Sequence, residues 1–228
     1  MRRVLTSLVA VAALVAVPAF SSAQDILWDQ QPDTSITQII DQDIPDQTAF
    51  STYAVNDATF GTAVNVQTVT TYYSNNNNAW GANVTQAVLN IFDGDGLTAA
   101  DDPTNGGDFG PGLVDVSITD LGNNIIAVTA NVDINLGPGT YWFGLSGSAA
   151  SSIPQEFHYS SGAQTGNESQ VRNPEGGFGL GTDWIGASTL SPSYADAAFT
   201  VTGTAVPEPT TAGLLALGLV GLVARRRR

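Results

Sequence analysis

The strongest pattern in the chain lies at residues 125–135, where Ile126, Val128, Ala130, Val132 and Ile134 alternate with Thr129, Asn131, Asp133 and Asn135. A period of two puts each set on its own face of a strand. The segment therefore predicts a β-strand with one buried and one wet face, as in an antiparallel sheet. Weaker runs rich in Val, Ile, Thr and Tyr predict strands at 35–40, 63–73, 84–92, 114–119, 140–145 and 197–202. The connections carry turn chemistry: Pro45-Asp46, the asparagines 75–78, the polar stretch 93–112 and Gly137-Pro138-Gly139. Between residues 24 and 205 no window of ten or more residues shows a helical period. Roughly eight or nine short strands without helices predict an all-β fold, a two-sheet antiparallel sandwich of jelly-roll type.

The two ends follow a different pattern. Arg2 and Arg3 precede an apolar stretch from Val4 to Phe20, and Ser21-Ser22-Ala23 supplies small residues for cleavage. Residues 1–23 thus read as a signal peptide cut after Ala23, leaving Gln24 as the first mature residue. At the other end, Val206-Pro207-Glu208-Pro209 is followed by an apolar run over 212–224 and by four arginines, Arg225 to Arg228. The prolines have no backbone N–H and bias their neighbours to extended geometry, so residues 206–209 predict an exposed peptide suited to an enzyme's cleft. The apolar run has thirteen residues. As a helix it spans about 20 Å against a hydrocarbon core near 30 Å, a single short transmembrane helix that suits a temporary anchor. The arginines hold its end in the cytoplasm and leave the bulk of the chain outside. Three segments result: 1–23, 24–205 and 206–228.

Charge sharpens this division. Six of the seven basic residues sit in the two end segments, and the chain has no lysine. Arg172 alone faces twenty carboxylates between residues 24 and 205, a formal net charge of −19. Such a surface has nothing to neutralise phosphates, which excludes nucleic acid as a partner, and it repels anionic lipid. The absence of cysteine closes thiol chemistry and cysteine-based zinc sites.

The order Val-Pro-Glu-Pro, apolar helix and terminal arginine cluster resembles the PEP-CTERM sorting signal of bacterial exported proteins. The resemblance implies recognition by an exosortase, with Pro207, Glu208 and Pro209 as the sorting and cleavage motif, a substrate and not a catalytic site. It further implies passage through the secretion machinery, transient insertion in the inner membrane, and release or attachment at the cell surface among extracellular polysaccharide. The stretches 137–142 (Gly-Pro-Gly-Thr-Tyr-Trp) and 173–179 (Asn-Pro-Glu-Gly-Gly-Phe-Gly), with Asp183-Trp184 and 198–203, more loosely resemble exported β-sandwich domains of unassigned function.

Candidate chemistry within 24–205 is sparse. Asp93, Asp95, Asp101 and Asp102 sit on one loop flexed by Gly94 and Gly96 and offer oxygen ligands to calcium, which takes six to eight of them. The start of that loop matches the first half of an EF-hand loop, but Leu97 stands at the fifth position and Thr104 at the twelfth. An ordinary solvated turn explains the same residues. Trp80 and Trp184, set among turn residues, are the aromatic candidates for stacking on sugar rings, the alternative being a place in the core. Glu156 and His158 fall on one face of a short strand and form a possible acid–base pair, although a lone histidine usually serves a structural hydrogen bond. No Gly-x-Ser-x-Gly elbow is present. The expectation is a non-enzymatic, cofactor-free structural or adhesive protein of the cell surface or biofilm matrix. The alternatives are a carbohydrate- or calcium-binding extracellular module and a carboxylate-dependent glycoside hydrolase.

Overall fold

The computed structural model describes residues 24–75, 78–94, 96–162, 164–194 and 196–206. The expected signal peptide, Ala23 included, and the tail from Pro207 with its expected membrane helix lie outside the described residues. Thirteen strands follow in order: β1 (Asp25–Gln30), β2 (Thr37–Ile40), β3 (Gln42–Asp43), β4 (Tyr53–Phe60), β5 (Val64–Ser74), β6 (Gln86–Asp93) and β7 (Gly112–Gly122). The rest are β8 (Ile125–Leu136), β9 (Gly139–Ser148), β10 (Phe157–Tyr159), β11 (Gln170–Arg172), β12 (Ile185–Gly186) and β13 (Phe199–Ala205). A six-residue helix, α1 (Asn78–Asn83), and two single 3-10 turns, Thr48–Phe50 and Ala187–Thr189, complete the described elements.

The all-β expectation holds. Where the pattern predicts two separate sheets, hydrogen bonding instead runs through one connected sheet in the order β1-β13-β5-β8-β7-β6-β9-β4-β11-β12. The joint is β7. Its first residues, Gly112 to Asp115, pair with β6, and Val116 to Gly122 pair with β8, so one strand serves both halves. Among the described strands the pairings are antiparallel except that of β3 with β9.

The two halves share one core. From one side come Val66, Val69 and Tyr73 of β5, Val128 of β8 and Phe199 of β13; from the other come Leu89 and Ile91 of β6 and Phe143 and Leu145 of β9. Phe143 and Phe199 stack across it with ring centroids 6.0 Å apart. The alternation in β8 reads out as expected, with Ile126, Val128 and Ala130 buried and Asn131, Asp133 and Asn135 exposed. On the wet face of β13, β5 and β8, threonines pair across strands: Thr68 with Thr202 at 2.6 Å and Thr70 with Thr129 at 2.9 Å. Such cross-strand pairs are what stabilises a half-exposed sheet face.

A second, smaller apolar layer covers the outside of the β6-β9-β4 half, where Val55, Phe92 and Trp142 are buried beneath Leu97 and Trp184. Strands buried on both faces lose their alternation. That is why Val88 and Leu89 sit side by side in β6, both buried.

Candidate functional site

The segment between β3 and β4 and the loop after β11 meet on the surface and frame an acidic recess. Parallel pairing with β9 sets Asp43 opposite Ser148. Tyr53 donates its hydroxyl to Asp43 Oδ1 at 2.8 Å, and Ser148 donates to Oδ2 at 2.7 Å. Burial pushes the Tyr53 hydroxyl far above its usual range, helped by the charge and hydrogen bond of Asp43. Tyr53 therefore stays a neutral donor that orients the carboxylate. Around this pair opens a cleft of about 450 Å³, with Thr48, Thr104 and Leu113 on its walls and Glu175 at its rim.

The loop 173–179 builds the ridge beside this cleft, and its sequence follows from its bonds. Asn173 is buried and donates to the carbonyls of Ala49 (2.9 Å) and Ser51 (2.7 Å), while its side-chain oxygen accepts from the Phe178 amide at 3.0 Å. Gly177 donates its amide to Ala49 O at 2.9 Å, and a Cβ at Gly177 would stand 2.2 Å from that same oxygen. Gly176 and Gly179 take positive φ, at 71° and 72°, which glycine adopts at little cost. Asn-Pro-Glu-Gly-Gly-Phe-Gly is thus a clasp that ties the β11–β12 loop to the Thr48–Phe50 turn.

Behind the cleft lies a buried polar cluster. Asp41, fully buried, accepts the Ala54 amide (3.0 Å) and Ser146 Oγ on Oδ1, and Tyr73 OH (2.8 Å) and His158 Nδ1 (3.0 Å) on Oδ2. The other ring nitrogen, Nε2, faces the Ala198 carbonyl at 2.9 Å. With a partner at each nitrogen, the ring is closed to any further ligand. Serine, histidine and aspartate are all here, but Ser146 and His158 both address Asp41. Neither ring nitrogen faces the Ser146 hydroxyl, so the serine–histidine arrangement that activates a nucleophile is not formed here. The partner of His158 is Asp41 and not Glu156, whose Oε2 accepts from Ser74 at 2.7 Å.

The acidic loop is organised by its own turns. Asp101 accepts from the amide and hydroxyl of Thr98, and Asp102 from the amide and hydroxyl of Thr104 at 2.9 and 2.8 Å. Asp93 is exposed at the end of β6, its amide bonded to Asp108, and Asp95 lies outside the described residues. Among the described residues no three His, Asp or Glu side chains gather as metal ligands. Arg172 and Trp184 both donate to the carbonyl of Asp101 at 2.8 Å, which staples this loop to β11.

The tryptophan pair separates. Trp80 is fully buried in α1, its ring 4.8 Å from that of Tyr73 and its N–H bonded to Gln42 Oε1 at 3.1 Å. A ring closed on every side cannot stack on a sugar, so the expectation for Trp80 is corrected: it is a core residue. Its isolation among asparagines disguised a short helix that inserts it under the sheet. Trp184 is half-buried, edge-on to Phe92 at 5.8 Å. Pro207, Glu208 and Pro209 lie outside the described residues. The chain leaves the sheet at Val206, which is exposed and still bonded through its amide to Ala63 O at 2.8 Å.

With this geometry in place, comparison with known proteins identifies the far end of the chain. Residues 205–228 match the PEP-CTERM protein-sorting motif. The chain is a PEP-CTERM domain-containing protein, and this motif is the recognition signal for an exosortase, implying export across the membrane and sorting to the cell surface. Neither a curated protein nor a solved structure matches the chain.

Proposed function

We propose that this is a secreted cell-surface or extracellular-matrix protein whose β-domain acts structurally or adhesively and not as an enzyme. The observation that carries the reading is the sorting motif beginning where β13 ends. The domain is handed to the processing enzyme by a segment that starts at the exposed Val206. The apolar run 212–224 is the transient anchor, too short to span a membrane unaided. An exosortase then cuts near Pro207-Glu208-Pro209, and the released domain carries almost no positive charge. In that medium mutual repulsion keeps copies apart. The two half-sheets on their common core are read as the layers of a jelly-roll-type sandwich, a scaffold that presents loops.

Mass spectrometry of the native protein tests this. The mature chain is expected to begin at Gln24 and to end near Glu208, with or without an attached non-peptide group. A chain ending at Arg228 rejects the processing model. A second reading, a carbohydrate- or calcium-binding module, is favoured by the Asp43–Glu175 cleft, whose acceptors suit hydroxyl groups or a hard cation. Isothermal titration with calcium and with oligosaccharides separates it from a purely structural role.

A further inference from the structure

Across the Thr48–Phe50 turn from the Asp43 cleft lies a second recess of about 400 Å³, lined by Ile44, Gln47, Phe50, Pro154, Gln155 and Phe178. Phe50 and Phe178 meet at its edge with centroids 5.4 Å apart and planes at 77°. Both rings remain open to solvent, at 40% and 37% exposure. Leaving two phenylalanines half in water has a hydration cost that a folding role does not require.

The backbone holding these rings is fixed from below. The wall carrying Pro154 and Gln155 is drawn to the Pro45-Asp46 turn by Asp46, which accepts the Ser151 amide and hydroxyl at 2.7 Å each. Those two bonds hold the Asp46 carboxyl below its usual range. The wall carrying Phe178 is drawn to the neighbouring Thr48–Phe50 turn by buried Asn173 and by Gly177, whose approach to Ala49 admits no side chain. The recess is therefore preformed, and a ligand entering it need not pay for ordering the walls.

Its chemistry is narrow. No charged side chain lines it. Two amides, Gln47 and Gln155, each offer one acceptor and two donors. Two aromatic surfaces stand at a corner. A pyranose ring presents apolar C–H faces to an aromatic ring and hydroxyls around its edge to amides. We propose that this recess binds a neutral sugar ring of a polysaccharide, stacked on Phe178 or Phe50 and hydrogen-bonded by Gln47 and Gln155. The −19 charge of the surrounding domain selects against uronic-acid or sulfated chains. A recess of this volume suits one or two rings of an extended chain and lacks the long apolar groove an amphipathic helix needs. The proposal gives the carbohydrate reading a second place and a ligand class, and it rests on that reading.

Affinity electrophoresis of the intact chain through gels containing dextran, galactomannan or alginate tests it, with titration calorimetry on the matching hexasaccharides. The expected result is retardation by at least one neutral polymer and none by alginate. Phe178→Ala and Phe50→Ala each weaken binding about tenfold or more, with melting curves like that of the parent. Phe178→Tyr restores binding, and Leu121→Ala, an exposed apolar residue elsewhere, leaves it unchanged. Binding abolished by Asp43→Asn but kept in Phe178→Ala overturns the proposal while leaving the carbohydrate reading intact, since the ligand then sits in the first cleft. Retention by no neutral polymer sinks both. Preference for alginate, or displacement of the glycan by an apolar peptide, also overturns it.

Discussion

Asp41 and Asp196 are equally buried, at 0% exposure each, and the fold treats them in opposite ways. Asp41 has four donors on its two oxygens, one of them the ring of His158. Asp196 receives Gln30 Nε2 at 2.8 Å and the Thr165 amide on Oδ2, while Oδ1 has no partner. Burial, with a smaller push from the charge of Asp57, raises the Asp196 carboxyl to about 7. Depth alone therefore does not set the cost of a buried carboxylate. The cost falls as the number of donors aimed at it rises.

The contrast can be broken most forcefully at Asp41. Replacing it with alanine strands Ser146, the Ala54 amide and His158 Nδ1 together, while Tyr73 keeps the Leu145 carbonyl at 2.8 Å, and the expected loss is about 3–5 kcal/mol. Urea unfolding measures it; a loss under about 1 kcal/mol would mean the cluster is incidental. Next comes Asn56, which belongs to the Asp196 side. Its side chain donates to Gln30 Oε1 at 2.9 Å and to Ala197 O at 3.0 Å. Asn56→Ala removes both bonds, leaving Gln30 Oε1 only the Trp28 indole N–H at 3.1 Å, and should cost about 1–3 kcal/mol by the same measurement.

Asp196 itself should behave the other way. At pH 8 its carboxylate is ionised against a partnerless oxygen, so Asp196→Asn is expected to be neutral or stabilising by up to about 1 kcal/mol. A loss of 2 kcal/mol or more, again from urea curves, would show that the charge is compensated by something else. The gentlest test uses pH. The folded protein keeps the Asp196 proton up to about 7, whereas the unfolded chain releases it near the ordinary value of 3.8. The folded state thus binds more protons in that window, and this group's contribution to stability falls as pH rises from about 4 to 7 and is flat above. Melting temperatures across that range should show the decline in the parent and a reduced slope in Asp196→Asn. An unchanged slope would remove Asp196 as its cause.

The sequence was most legible where one face of a strand is wet. The expected 125–135 became Ile125–Leu136, and 63–73 became Val64–Ser74. It was least legible in β4, which went unread although it is paired on both sides, by β9 and β11. Its run Tyr-Ala-Val-Asn-Asp-Ala-Thr-Phe is buried at seven of eight positions, Asn56 and Asp57 included. Two polar residues in mid-run look like a turn, and only their buried partners show otherwise. Asp57 bonds to the amide and side chain of Asn167, each at 3.0 Å. Trp80 failed for a related reason: a six-residue helix is too short to display a period. The aromatic platform was half visible. Residues 173–179 stood out for their resemblance to exported β-sandwich domains, but nothing in that stretch points to Phe50 as the partner of Phe178.

By itself the sequence determined the address and the class of this protein. A sorting motif is read as a linear peptide, and the charge of −19 and the strand alternation depend only on residue order. Tertiary structure alone decided which side chains are closed off and which stay open to solvent. His158 is closed on Asp41, Trp80 is locked in the core, and Asn173 and Gly177 raise Phe178 beside Phe50. The physical reason is range. Alternation and charge act through neighbours in the chain, while burial and hydrogen-bond satisfaction are settled between residues more than a hundred positions apart.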